Sequence, residues 1–379
     1  MLAVSTMTKL TASSYSSLKA CSLVNRQRRR RRALIEVSLT GEQRSSILEH
    51  FFKLLQDHYV FPDVARQVEE VLRQRLDASG YDDLITPDLF CEAITEQVYE
   101  ISRDRHLCLF YQTEAQPLYE DKNLYDDLQW QEMYRQEATL QNFGFKKVER
   151  LAGNIGYLDL RSFFLPAFAG ETAVAAMAFL ARTSALIIDL RHNDGGENYM
   201  AHLICSYFFE ADPILLNSFY LRQQQSTQQC WTLPYVPGER YLDKPVYVLT
   251  GPQTASAAEE FAYTLQQLKR ATIVGTRTVG AANPIERYQV TPHIGAYIPM
   301  GRAINAITGT NWERTGVIPD REVPQETALK VAHLEAVQRV LEHLSEKPPS
   351  QAYTVLEQEA RLLIKGLLSI DGNEEHYKN

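Results

Sequence analysis

Apolar residues recur at helical spacing in three bursts between Gly41 and about Arg103. Ile47, Leu48, Phe51, Phe52, Leu54 and Leu55 make the first stripe, and Pro62 stops it. Val64, Val68, Val71, Leu72 and Leu76 make the second, which ends at Gly80. Thr86-Pro87 reads as an N-cap followed by a proline at the first helical position. The stripe behind it is Phe90, Ile94, Val98 and Ile101. Three short amphipathic segments in succession predict an N-terminal three-helix bundle over residues 41–105.

Beyond Arg103 the period changes. Leu107 to Tyr111 is a strand-like run, and the polar, tyrosine-rich stretch from Gln112 to about Phe145 reads as a connecting arm with one short helix, so residues 106–147 form strand and arm. From Val148 strands and helices alternate. The strands are Asn154–Leu160, Ala185–Leu190, Pro245–Leu249 and Ala271–Val274; the helices are Thr172–Leu180, Tyr199–Phe209 and the segment after Ser256. That alternation predicts an α/β core with parallel strands over residues 148–345. Ala281 to Pro299 reads as looped and β-rich, and a helix from about Glu326 to Leu344 closes the core. Pro348-Pro349 break the chain before a last amphipathic helix, Tyr353 to Leu368, in a C-terminal segment 346–379.

Composition narrows the function classes. A chain of 379 residues holds one large domain with an appendage, or two domains. A net charge of −8 gives no general attraction to nucleic acid. No apolar run is long enough to span a bilayer. Residues 1–40 stand apart: no Asp or Glu precedes Glu36, and Arg28 to Arg32 are consecutive. Adjacent like charges repel and stay solvated, so this reads as a disordered basic tail in a cytoplasmic protein. A basic, Ser-rich start also leaves an organelle transit peptide open. Five cysteines at irregular spacings are neither a disulfide framework nor a zinc pattern, and read as thiols in a reducing compartment. No phosphate-binding glycine motif is present, and neither cofactor nor metal is expected.

The candidate chemistry lies where strands turn into helices. Val246 to Leu249 is a buried strand, Gly251, Pro252 and Thr254 make a turn, and the helical pattern begins just after Ser256. A hydroxyl there lies beside backbone N–H groups that the first helical turn leaves unpaired, which is the geometry of an acyl-transfer nucleophile. Taken alone, Ser256 reads as a helix cap, and only partners elsewhere in the chain reverse that. A second such junction is Asn193-Asp194-Gly195-Gly196, where a glycine pair lets backbone N–H groups face a ligand; in isolation it reads as a plain turn. His106 lies at a helix-to-strand junction. His192 reads as a surface residue and His202 as structural, His293 in the looped region stays open, and Asp189 and Arg191 read as a pair that holds a loop.

Taken together and in order, Arg191 to Gly196, Thr254 to Glu259, Arg270 to Gly275 and Asn311 to Asp320 resemble the tail-specific, or carboxyl-terminal processing, serine peptidases. The likeness runs from about residue 43 to 345. Tyr59-Val60-Phe61-Pro62 and Asp104 to Leu107 are similar to the branch of interphotoreceptor retinoid-binding protein and the tricorn core. The resemblance implies a crotonase-like (ClpP/crotonase) spiral core of repeated ββα units. It also implies Ser256 as nucleophile, with the amides of Gly195 or Gly196 and of Ala257 as oxyanion hole. The processing proteases carry their lysine base at the position of Ala281, which cannot accept a proton. His106 matches the histidine of the other branch, and Glu313 its acidic member. The tricorn arrangement places a serine next to the histidine; Arg105 stands there instead. No PDZ-type insertion fits between His106 and Leu151.

These observations predict a serine peptidase with His106 as base, Glu313 in support and a peptide or protein as substrate. Two alternatives share the scaffold: a retinoid- or lipid-binding protein without turnover, and an acyl transferase or cyclase using the same serine.

Overall fold

Thr40 starts the first helix with a capping box: its hydroxyl accepts from the Gln43 N–H, and the Gln43 side chain accepts from the Thr40 N–H. Helix α1 (Gly41–His58) is followed by α2 (Pro62–Asp77) and α3 (Pro87–Ser102), each of these two with proline in its first turn. These are the three helices that the periodicity predicts. The computed structural model describes residues 38–116 and 128–368. The expectations for the basic tail, the middle of the arm and the extreme C-terminus fall outside those residues.

The chain divides into two compact units. The first takes the chain up to Tyr134 together with residues 218–228 and 281–304. Its sheet has the order β1-β10-β9, from strands Cys108–Tyr111, Ile294–Pro299 and Ile285–Thr291, all antiparallel, with Cys108 opposite Tyr297. The stretch read as looped and β-rich is therefore largely the β9–β10 hairpin. Phe51, Leu55, Tyr59, Leu72, Phe90 and Ile94 form one core with Leu109, Ala296 and Ile298.

The second unit, residues 135–217, 229–280 and 305 onward, contains a six-stranded sheet. Its strands are β2 (Phe145–Leu151), β3 (Ile155–Leu160), β4 (Ala185–Asp189), β7 (Val246–Thr250), β8 (Thr272–Gly275) and β12 (Arg321–Glu322), in the order β12-β8-β7-β4-β3-β2. All neighbouring pairs are parallel except β2 with β3. Helices α5 (Pro166–Leu180), α6 (Asn198–Ser206), α7 (Ala257–Gln267), α8 (Ala328–Ser345) and α9 (Gln351–Leu368) complete the unit. Ala332, Ala336 and Val337 of α8 pack on Tyr157, Ile187 and Leu249, while the intervening Leu158, Leu186 and Ile188 are also buried. Burial on both faces explains why β4 and β7 read as unbroken apolar runs rather than alternating ones.

Several elements depart from the pattern reading. Helix α5 begins at Pro166, before the expected Thr172, because proline fits the first helical position. Helix α6 ends at Ser206, short of Phe209. Strand β2 carries no apolar run: Lys146, Lys147 and Arg150 are exposed along this sheet edge. Strands β5 (Leu215–Leu221) and β6 (Ser226–Trp231) form a third sheet, ordered β11-β5-β6 with β11 (Gly301–Asn305). The short helix of the arm is α4 (Leu128–Leu140). Cys91, Cys205 and Cys230 are buried free thiols, but Cys108 is disulfide-bonded, which corrects the reading of every cysteine as a thiol. Among the described residues no helix is long and apolar enough to cross a membrane.

Candidate active site

The elbow that carries Ser256 is held by its own turn. The Thr254 hydroxyl donates to the Leu190 carbonyl and accepts from the Gly251 N–H, at 2.7 and 2.9 Å. The Ala255 N–H donates to the Asn193 carbonyl. Ser256 then occupies the N-cap position of α7 with φ 55° and ψ −123°. An ordinary N-cap has extended backbone. A non-glycine residue outside the favoured regions costs about 1–3 kcal/mol and persists only where its surroundings over-determine it, typically at a functional site. This geometry favours the nucleophile over the plain cap.

The glycine loop after β4 meets this elbow within the same unit. Gly195 and Gly196 have φ of 105° and 124°, open to glycine without strain. A Cβ on Gly195 would lie 2.7 Å from the Ser256 Cβ and 2.8 Å from the Ala255 carbonyl oxygen, so no side chain fits there. Asn193, fully buried, sets the loop: its side-chain oxygen accepts from the Gly195 N–H and its amide donates to the Leu160 carbonyl. The Gly195 N–H is therefore already engaged. The Gly196 and Ala257 N–H groups make no hydrogen bond with the described residues. Of the two glycines, Gly196 has the donor that remains available.

Glu259, one turn into α7 and fully buried, ties this elbow to its surroundings. One carboxylate oxygen accepts from the Ser256 N–H at 2.9 Å; the other accepts from the Gly280 N–H and the Thr278 hydroxyl. Thr278 in turn accepts from the Val317 N–H, and the Gly280 carbonyl accepts from the Arg314 N–H. The loop that bears Glu313, itself partly buried, is thus fastened on both sides to the strand end that Glu259 holds. Ser256, Gly195, Gly196 and Ala257 are brought together directly, and the Glu313 loop is linked to them through Glu259. Glu259 was not singled out from sequence, although Ser256-Ala257-Ala258-Glu259 has capping-box spacing.

His106 belongs to the first unit. Its backbone N–H donates to an Asp104 carboxylate oxygen at 3.0 Å. The other Asp104 oxygen accepts from the Tyr59 hydroxyl and the Asn283 side-chain amide, at 3.2 and 3.0 Å. The His106 ring is 2% exposed, and neither nitrogen has a hydrogen-bond partner among the described residues. Burial pushes its pKa below the usual imidazole value, with the Asp104 charge and the Asn283 backbone opposing that shift without reversing it. A neutral imidazole is the form that accepts a proton. Arg105, at the position of the relay serine, stacks over Tyr99 at 4.9 Å.

The remaining candidates are structural. Arg191 grips Asp189 through two hydrogen bonds of 2.9 and 2.6 Å and also donates to the Gln325 carbonyl. His192 meets the exposed Gln253, and His293 is exposed. His202 makes a buried 2.7 Å pair with Glu260. Burial alone would lower the His202 pKa, but Glu260 and Cys230 override it and raise it to about 10 from 6.5. This pair's contribution to stability is therefore complete below about pH 6.5 and is lost as pH rises toward 10. Urea midpoints measured across that window should fall in the native protein and fall less in His202→Gln.

The sequence matches the family model for peptidase family S41 over residues 154–323, and that for the N-terminal domain of peptidase S41 in eukaryotic IRBP over residues 33–142. The chain is a member of the tail-specific protease superfamily. It is 28% identical over 174 residues to a carboxyl-terminal-processing protease of Synechocystis, covering 45% of this chain and 38% of that protein. A carboxy-terminal-processing protease of Bartonella bacilliformis is 29% identical over 189 residues, 46% of this chain and 40% of the relative. The matches thus span about two fifths of these relatives' length. Among solved structures, a peptidase-like protein of Parabacteroides merdae aligns with TM-score 0.52 at 19% identity, covering 76% of this chain and 92% of that one. That likeness concerns the mixed α/β fold of this tail-specific protease superfamily member.

Proposed function

We propose that this protein is a serine peptidase acting on polypeptides through an acyl-enzyme. The observation that carries the reading is the Ser256 backbone, held at φ 55° beside the Gly196 and Ala257 N–H groups, which make no hydrogen bond with the described residues. Ser256 attacks the scissile carbonyl carbon and His106 takes the hydroxyl proton. The resulting oxyanion accepts from the Gly196 and Ala257 N–H groups. The C–N bond then breaks, the amine leaves with the proton from His106, and water releases the acyl group by the same steps. Glu313 supports the charged imidazole, and the core around Ser256 is of the crotonase-like ββα kind. The processing-protease relatives support a polypeptide substrate.

A fluorophosphonate probe tests the nucleophile directly. The expected result is one adduct per chain, mapped by peptide mass spectrometry to Ser256, with parallel loss of casein hydrolysis. An adduct elsewhere, or full hydrolysis by the labelled protein, rejects the assignment.

A further inference from the structure

Asp104 is a buried carboxylate with no cationic side chain in contact among the hydrogen bonds described for it. It is 1% exposed and accepts from three neutral donors on three separate segments. Tyr59 comes from the end of α1, His106 from its own turn and Asn283 from the loop before β9. The Asp104 N–H donates to the Ser102 hydroxyl, so the turn from α3 into β1 is fastened at both ends. A buried carboxylate without a cation is costly unless its lone pairs are satisfied. The loop residues 281–284 are also where the processing proteases carry their lysine, by the resemblance. Here that loop offers Ala281 and an Asn283 that reaches Asp104. The cations nearest in sequence, Arg103 and Arg105, are both drawn onto the Tyr99 ring.

We propose that Asp104 is a positioning residue for His106: its carboxylate fixes the turn that carries the imidazole. The inference deepens the peptidase reading and rests on it for its kinetic consequence. Asp104 acts through the His106 backbone N–H and the turn around it, while the neighbouring Arg105 stacks on Tyr99. The Asp104 charge favours the imidazolium that forms during each transfer, while burial keeps the resting ring neutral.

The test reads the imidazole itself. In full-length protein labelled at histidine, the His106 NMR resonance, assigned with His106→Gln, is titrated in the native chain and in Asp104→Asn. The expected result is a fall in the His106 pKa of about one unit on removing the neighbouring charge. The acid limb of kcat/KM should move down in pH by the same amount, with kcat reduced about tenfold or more and KM little changed. Asp104→Ser, smaller and neutral, gives the same reading should the isosteric variant fold poorly. An unchanged His106 titration in a folded variant overturns the proposal. If the titration moves while His106→Gln still hydrolyses substrate, the proposal stands and the base of the peptidase reading is wrong.

Discussion

Ser256→Ala should lower kcat by about 10⁴ to 10⁶-fold while leaving KM within a few-fold, because the lost step is bond formation rather than substrate binding. The variant keeps its Cβ, so the close approach to Gly195 is unchanged. The Glu259 link to the Ser256 N–H also survives, since it uses the backbone. The thermal midpoint should therefore stay within a degree or two of the native value. Residual hydrolysis above that of water would come from the Gly196 and Ala257 donors, as in serine hydrolases stripped of their nucleophile. Turnover measured with a fluorogenic peptide, beside a thermal melt, separates a lost nucleophile from a lost fold. Hydrolysis within tenfold of native would remove Ser256 from the mechanism.

Glu259→Ala is expected to be the most destabilising single change near the site, by about 3–5 kcal/mol. It strands three donors at once: the Ser256 N–H, the Gly280 N–H and the Thr278 hydroxyl. It also leaves a void where a fully buried side chain stood. The effect should reach the Glu313 loop, since Thr278 and Gly280 hold Val317 and Arg314. Glu259→Gln retains the shape and one acceptor oxygen, and should cost about 1–3 kcal/mol. Urea midpoints at constant m would give both values. A Glu259→Ala protein as stable as native would mean that the ladder from Ser256 to the 313 loop does not hold the elbow.

Much of the fold was legible because the hydrophobic pattern recorded it. The stripes at Phe51, Leu72 and Ile94 became the core of the first unit, and the apolar runs at Ile187 and Val248 became parallel strands buried on both faces. Strands β2 and β6 were not legible, because mixed polar edge strands carry no continuous signal, and in the central strand β5 the buried Asn217 and Ser218 interrupt the apolar run. At the site, Ser256 and the glycine pair were marked by punctuation between strand and helix. Asn193, Glu259 and Asp104 were not singled out because each ties a group two or three residues away to a distant segment, and the distant partner leaves no mark in sequence. Only the Glu259 link to Ser256 carries a sequence sign, its capping-box spacing. The engagement of the Gly195 N–H by Asn193, which distinguishes the two glycines, is a fact of geometry alone.

The pairing of β1 with β10 joins Cys108 to Tyr297, about 190 residues downstream. At a translation rate of 5–20 residues per second, about 10–40 s separate the emergence of the two partners from the ribosome. The helical front end thus waits, with Leu107 and Leu109 uncovered, until the β9–β10 hairpin has been synthesised. Truncation anywhere before Pro299 therefore leaves β1 without all of its partner strand, and the turn of Asp104 and His106 gains its Asn283 contact only after the serine-bearing elbow has been synthesised.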